Sequence, residues 1–248
     1  NTLQLRLKAL RLPSVLVHYA PLAERATAEG WSPLQYLAEL ITLEATERTD
    51  RRIARLLHDA KLPREKSAAT LDLARYAAPL RGQIRQLLRG EFVTGATNVC
   101  LIGRPGTGKS HVMAALARAL VERGYPVLFS SVASLVERLL DAKRNLRLAR
   151  ELKRLDSFEC LALDDIGYVQ HDRAEMEVLF ALLAERYERK SVMITSNLLC
   201  GAPHNRFNAA SIVMRTLVHE SPAFSLLCAG FAPHKSKRSG NRILPASM

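Results

Sequence analysis

Apolar residues recur at helical spacing through the first third of the chain and gather into short strand-like runs through its middle. Leu5, Leu7, Leu10 and Leu12 open an apolar helix that Pro13 interrupts. Ser32-Pro33 supplies a cap followed by proline at the first helical position. Leu34, Leu37, Leu40, Ile41 and Leu43 follow at helical spacing, and the pattern runs on to Leu56 and Leu57 before Lys61-Leu62-Pro63 breaks it. Residues 1–93 therefore read as helical throughout, a small all-helical domain without β content. After the turn-like Thr94-Gly95-Ala96-Thr97 the character changes. Strands are predicted at 98–102, 125–130, 159–163 and 191–195, and helices at 109–123, 132–155 and 173–189. That alternation predicts βαβ units, so 94–248 is expected to be an α/β domain, a parallel sheet with helices on both faces.

Composition narrows the class. Apolar runs such as 192–194 and 223–231 fall far short of the roughly 20 residues that span a bilayer, so no membrane role is expected. At Asn1-Thr2-Leu3-Gln4-Leu5-Arg6 no basic segment precedes an apolar core, and the chain reads as lacking a signal peptide. Cys100, Cys160, Cys200 and Cys228 lie too far apart for a C-x-x-C pair, which argues against a zinc site or a disulfide framework. A cytoplasmic location is expected. The formal charge of +12 is uneven: residues 1–98 carry +5, 99–199 only +2, and 200–248 again +5. A nearly balanced middle between basic ends fits a catalytic core with a polyanion-binding periphery.

Gly103-Arg104-Pro105-Gly106-Thr107-Gly108-Lys109-Ser110 matches G-x-x-x-x-G-K-[ST] at every fixed position, between a predicted strand and a predicted helix. Its glycines let backbone N–H groups curl around a phosphate, and the helix that follows offers its positive end to the same anion. Lys109 can reach the β- and γ-phosphates of ATP, and the Ser110 hydroxyl can ligate Mg²⁺. The run Cys160-Leu161-Ala162-Leu163 ends in Asp164-Asp165. Asp164 is the candidate for the Mg²⁺ shell and Asp165 for the base that polarises the attacking water. Asp is also common in plain turns. Asp165 is one methylene shorter than the glutamate many such ATPases place there, which implies slow turnover. Val192-Met193-Ile194-Thr195-Ser196 leads to Asn197, placed either to orient the attacking water or simply to make a turn or cap.

In this order the motifs resemble the AAA+ class of P-loop NTPases, and the wording resembles IstB-like transposase helpers, related to DnaC-type helicase loaders. Leu10-Arg11-Leu12-Pro13, Gly90-Glu91-Phe92, Asp164-Asp165-Ile166-Gly167-Tyr168, Arg186-Tyr187-Glu188-Arg189 and Thr195-Ser196-Asn197-Leu198 carry the resemblance, which spans residues 3 to about 198. It implies that Asn197 is the sensor residue and that the protein is an ATP-dependent homo-oligomer. It further implies binding of duplex DNA with little sequence preference and recruitment or stimulation of a cognate transposase. Beyond Leu198 the resemblance falters: only Met214-Arg215-Thr216-Leu217-Val218-His219 is similar to a later family element, with Arg215 as the arginine offered to a neighbour's ATP.

Lys143, Arg147, Arg150 and Arg154 are spaced by four, three and four residues, which on one continuous helix is a narrow basic stripe with Leu148, Leu152 and Leu155 opposite. Arg48, Arg51, Arg52 and Arg55 form a similar stripe. Either suits phosphate tracking along DNA, and either is equally a solvated face. Lys235, Lys237, Arg238 and Arg242 lie in a Ser-, Pro- and Gly-bearing tail that also reads as a disordered arm. Three alternatives to a transposition helper stay open: a helicase loader, a small-molecule or nucleotide kinase sharing only the glycine loop, and a nucleotide-gated scaffold without hydrolysis.

Overall fold

The computed structural model describes residues 2–166 and 173–197, and the backbone of a strand at 224–228. Arg215, the basic tail and Gly167-Tyr168 lie outside the described residues. The first three helices are α1 (Thr2–Ala9), α2 (Pro13–Ala28) and α3 (Pro33–Asp59). Pro13 starts α2 rather than merely ending α1, because its fixed φ suits a first helical position. Ser32 and Gln35 form a reciprocal capping box: the Gln35 N–H donates to Ser32 Oγ at 3.2 Å, and the Ser32 N–H to Gln35 Oε1 at 2.7 Å.

Helices α2 and α3 run antiparallel around a small apolar cluster that includes Val15 and Leu40, with one carboxylate buried at the start of α2. The buried Glu44 carboxylate accepts from the N–H groups of Ser14 (2.9 Å) and Val15 (3.2 Å), capping α2, and from Arg48 at 3.0 Å. Burial alone would raise the Glu44 pKa, but these donors outweigh it and hold the carboxyl below its ordinary value of 4.5. A folded-state pKa below the unfolded one means that this stabilisation is complete at neutral pH and disappears as the pH falls below that ordinary value. Glu44→Gln is expected to cost about 1–3 kcal/mol at pH 7 in urea unfolding, with the difference from wild type shrinking towards pH 3.

Residues 60–77 are not helical as expected. Lys61 takes a left-handed φ of 54°, Pro63 follows, and only a 3-10 turn at Leu73–Arg75 is regular. Helix α4 then occupies Ala78–Leu87. The predicted boundary at 93/94 also crosses a single body of packing. Ala60, Leu71, Tyr76, Leu80, Ile84 and Leu87 share one core cluster with the strands and helix that follow.

Strands β1 (Asn98–Ile102), β2 (Val127–Ser131), β3 (Cys160–Asp164), β4 (Ser191–Ser196) and β5 (Phe224–Cys228) form one parallel sheet in the order β2-β3-β4-β1-β5. Side chains alternate across it. Val99, Leu101, Val127, Cys160, Ala162 and Met193 face α5 (Lys109–Glu122), which lies between α3 on the β2 side and α4 on the β5 side. Cys100, Ile102, Leu128, Leu161, Leu163, Val192 and Ile194 face α6 (Val132–Arg144), α7 (Leu148–Asp156) and α8 (Arg173–Arg186). The fold is thus the expected α/β P-loop architecture preceded by helices.

The single helix expected over 132–155 is two helices. Leu146 adopts φ 54° and is 95% exposed, and the chain turns there so that Leu155 is buried with α8. Arg186, 1% exposed, explains its place among the family-like residues. Its guanidinium donates to the carbonyls of Leu155, Phe158, Glu159 and Ser191 at 3.1–3.2 Å, tying the turn before β3 to the start of β4.

Candidate nucleotide site

Strand order builds the site. Because β4 lies between β1 and β3, the C-terminal ends of all three meet at one sheet edge, on neighbouring strands about 5 Å apart. Loop 103–108 leaves β1, the Asp164-Asp165 pair ends β3, and Asn197 follows β4. The Gly103 N–H donates to the Ser196 carbonyl at 3.2 Å, pinning the loop to its neighbour strand.

Gly106 (φ 78°) and Gly108 (φ 82°) both take left-handed backbone, so the loop curls as a phosphate cradle must. Gly108 is constrained twice, since a Cβ there would overlap the Tyr76 hydroxyl. Gly108→Ala is expected to destabilise the protein by at least about 1–2 kcal/mol in thermal unfolding, from backbone strain alone. Lys109 is 7% exposed and donates to the Arg104 carbonyl at 2.9 Å. Burial lowers its pKa, while Asp165 and Asp164 pull the other way. A desolvated ammonium held by one carbonyl has donor capacity left for an anion.

The two carboxylates are tied to the first turn of α5 and to the end of β4. Ser110 Oγ donates to Asp164 Oδ1 at 2.8 Å, and Thr195 Oγ1 donates to the same oxygen at 2.5 Å. Thr195 Oγ1 also accepts the Asp165 N–H at 2.7 Å, and Asn197 Nδ2 donates to Asp165 Oδ1 at 3.1 Å. Asp165 has φ 63°, a backbone region that Asp tolerates better than most side chains. This gives a local physical reason for aspartate, rather than the longer glutamate, at that position.

The fold implies Mg²⁺, and the donors fit it. A hydroxyl and a carboxylate share one hydrogen bond at Ser110 and Asp164. No cluster of three His, Cys, Asp or Glu occurs among the described residues. Mg²⁺ is commonly held by one or two carboxylates together with substrate phosphates and water.

Two contributors escaped sequence analysis. Thr195 was visible as a polar β-branched residue closing an apolar run. Tyr76 had no local signal: its hydroxyl donates to the Thr107 carbonyl at 3.2 Å from 31 residues away. On the same side His111 Nε2 lies 3.0 Å from Thr70 Oγ1 and 3.2 Å from the Ser67 carbonyl. Residues 67–76 thus pack against the loop and the first turn of α5.

The basic positions are less uniform than their spacing predicts. Lys143 lies in the last turn of α6, Arg147 caps α7, and Arg150 and Arg154 lie on α7, so the expected single-helix stripe is broken by the turn at Leu146. Lys143 pairs with Glu177 at 2.8 Å and Arg154 with Glu151 at 3.0 Å. On α3, Arg48 and Arg51 are tied to Glu44, and Arg52 donates to the Gly124 carbonyl at 3.1 Å. Arg55, Arg147 and Arg150 are exposed. Cys100 and Cys160 are buried, and burial pushes the Cys160 thiol up to about 12, so it is no nucleophile. No described helix is long and apolar enough to cross a membrane.

A family model described as IstB-like ATP binding protein matches residues 5–226, so the family similarity extends beyond Leu198, contrary to expectation. A Sinorhizobium fredii protein named as an insertion-sequence ATP-binding protein is 36% identical over 228 residues, 90% of this chain and 76% of the relative. An insertion sequence IS21 ATP-binding protein of Pseudomonas aeruginosa is 30% identical, covering 97% of this chain and 92% of its own. Among solved structures, AMPPCP-bound DnaA of Aquifex aeolicus aligns with TM-score 0.57 at 16% identity, over 68% of this chain and 51% of that one. The DnaC helicase loader aligns with TM-score 0.53 at 18% identity, over 67% of this chain and 98% of that one. At these identities the two structures speak for the fold alone.

Proposed function

The chain belongs to the IstB-like ATP-binding proteins, and from that premise we propose that it is an ATPase that assembles on duplex DNA as a transposition helper. The observation that carries the reading is the hydrogen-bonded chain Ser110–Asp164–Thr195–Asp165–Asn197 at the mouth of the glycine loop. The backbone of 103–108 and the Lys109 ammonium bind the phosphates of ATP. Ser110 and Asp164 hold Mg²⁺, which when bound offsets charge on the phosphate oxygens. Asp165 accepts the proton of the attacking water, and Asn197, donating to one Asp165 oxygen, fixes the direction in which the other points. Arg215 acts in a neighbouring subunit's site.

DNA contact falls to basic positions on α3 (Arg48, Arg51, Arg52, Arg55) and α6–α7 (Lys143, Arg147, Arg150, Arg154), without sequence readout. The transposase docks on α1–α3 within the N-terminal region 1–93. Support comes from exposed apolar residues: seven of the nine large ones recorded among described residues lie within the first 41 positions, including Leu34, Leu37 and Ile41. The assembly works in the cytoplasm.

Hydrolysis measured with and without duplex DNA, alongside sedimentation, tests this. DNA-stimulated turnover by ATP-dependent oligomers is the expected result. Phosphate transfer to a small acceptor, indifferent to DNA, overturns it. ATP-dependent assembly without turnover would instead make the protein a nucleotide-gated scaffold, and co-purification with a helicase would make it a loader.

A further inference from the structure

We propose that the outer face of α4 is a DNA-backbone surface, on which Arg81, Arg85 and Arg89 grip the phosphates of a duplex. This rests on the DNA-binding reading above and adds to that contact residues outside both basic stripes. The stretch 73–90 contains four arginines and no acidic residue. Arg75 pairs with Asp72 at 3.2 Å, but Arg81, Arg85 and Arg89 make no ion pair among the described residues. Their charge is therefore not neutralised locally, unlike that of Arg48, Arg51, Lys143 and Arg154.

Geometry favours a polyanion. Leu80, Ile84 and Leu87 turn inward to the core, so Arg85 is exposed on the outer side and the half-buried Arg81 lies on the same flank, one turn and about 6 Å away. Arg89 follows just past the helix end, exposed, four residues on. Gln83 and Gln86 are exposed beside them. No large exposed apolar side chain is recorded between Ile41 and Leu146. A protein-binding face is centred on buried aromatic or aliphatic anchors, which this one lacks; a phosphate-binding face needs only cationic donors in a row. The helix starts two residues after Tyr76, whose hydroxyl donates to the nucleotide loop at Thr107, and so runs outward from the ATP site. It lies on the sheet face opposite α6–α7.

The test is the salt dependence of random-sequence duplex binding by the full chain with a non-hydrolysable ATP analogue. It compares wild type with the triple variant Arg81→Gln, Arg85→Gln, Arg89→Gln. Gln keeps helix propensity and most of the stem. Loss of three phosphate contacts flattens the slope of log affinity against log salt by about 2.7 and weakens binding about 10- to 500-fold near 0.1 M salt. Affinity for the analogue stays at the wild-type value, since these residues are outside the nucleotide site. The matching triple Arg→Lys variant restores most of the slope. If the triple variant fails to fold, Arg85→Gln alone carries the test, with an expected slope change of about 0.9. A wild-type slope in a folded glutamine variant overturns the assignment of α4. Absence of duplex binding by the wild type overturns the DNA-binding reading itself, a different and distinguishable failure.

Discussion

Lys109→Ala is expected to lower affinity for ATP by about 10²-fold and to take hydrolysis and ATP-driven assembly with it. The side chain is buried, its pKa is lowered by that burial, and among the described residues its one side-chain hydrogen bond is to the Arg104 carbonyl. Contacts between an ammonium and phosphate oxygens contribute about 1.5–3 kcal/mol each, and 1.4 kcal/mol is a factor of ten. Because the ammonium is held by a backbone carbonyl rather than by a carboxylate among the described residues, its removal is expected to cost the fold little. Calorimetric titration with ATP, next to thermal unfolding without it, separates the two effects. Unchanged ATP affinity in a folded variant would remove the loop from the account.

Asp164→Asn has the second large effect, and a different one. The asparagine Oδ1 can still accept from Ser110 and Thr195, so the hydrogen-bonded scaffold around it survives. What is lost is the negative charge that would hold the cation. Hydrolysis at saturating ATP is expected to fall about 10²–10³-fold, roughly 3–4 kcal/mol of transition-state stabilisation. Nucleotide affinity, carried mainly by the loop and Lys109, is expected to change little. Single-turnover hydrolysis over a Mg²⁺ titration reads both, and wild-type turnover at wild-type Mg²⁺ concentrations would take Asp164 out of the metal's shell.

How much of this was legible in the sequence depends on whether the determining contact is local. Strand β1 starts and ends where the apolar run does, and Ser32-Pro33 starts α3, because capping and alternation act within a few residues. The glycine loop was legible for the same reason, since left-handed φ at Gly106 and Gly108 is a local demand. The break at Leu146 was not. Charge spacing across 143–154 fits one helix, but the chain turns at Leu146, and Leu148, Leu152 and Leu155 pack on the cluster that includes α8. Residues 60–77 looked helical by continuity, yet their path follows the loop they pack against through Tyr76 and the Ser67–Thr70–His111 contacts. Thr195 was in view but lacked a role until β4 was placed between β1 and β3. Spacing likewise placed the basic residues without revealing that Glu44, Glu151 and Glu177 already engage several of them.

The most direct measurement is a crystal structure of the full chain grown with a non-hydrolysable ATP analogue and Mg²⁺. The account predicts the β-phosphate cradled by the backbone amides of 106–109, and the cation between Ser110 Oγ and the Asp164 carboxylate. Asp165 should then face the terminal phosphate. Nucleotide bound elsewhere, or a cation with neither Ser110 nor Asp164 in its coordination sphere, would contradict it.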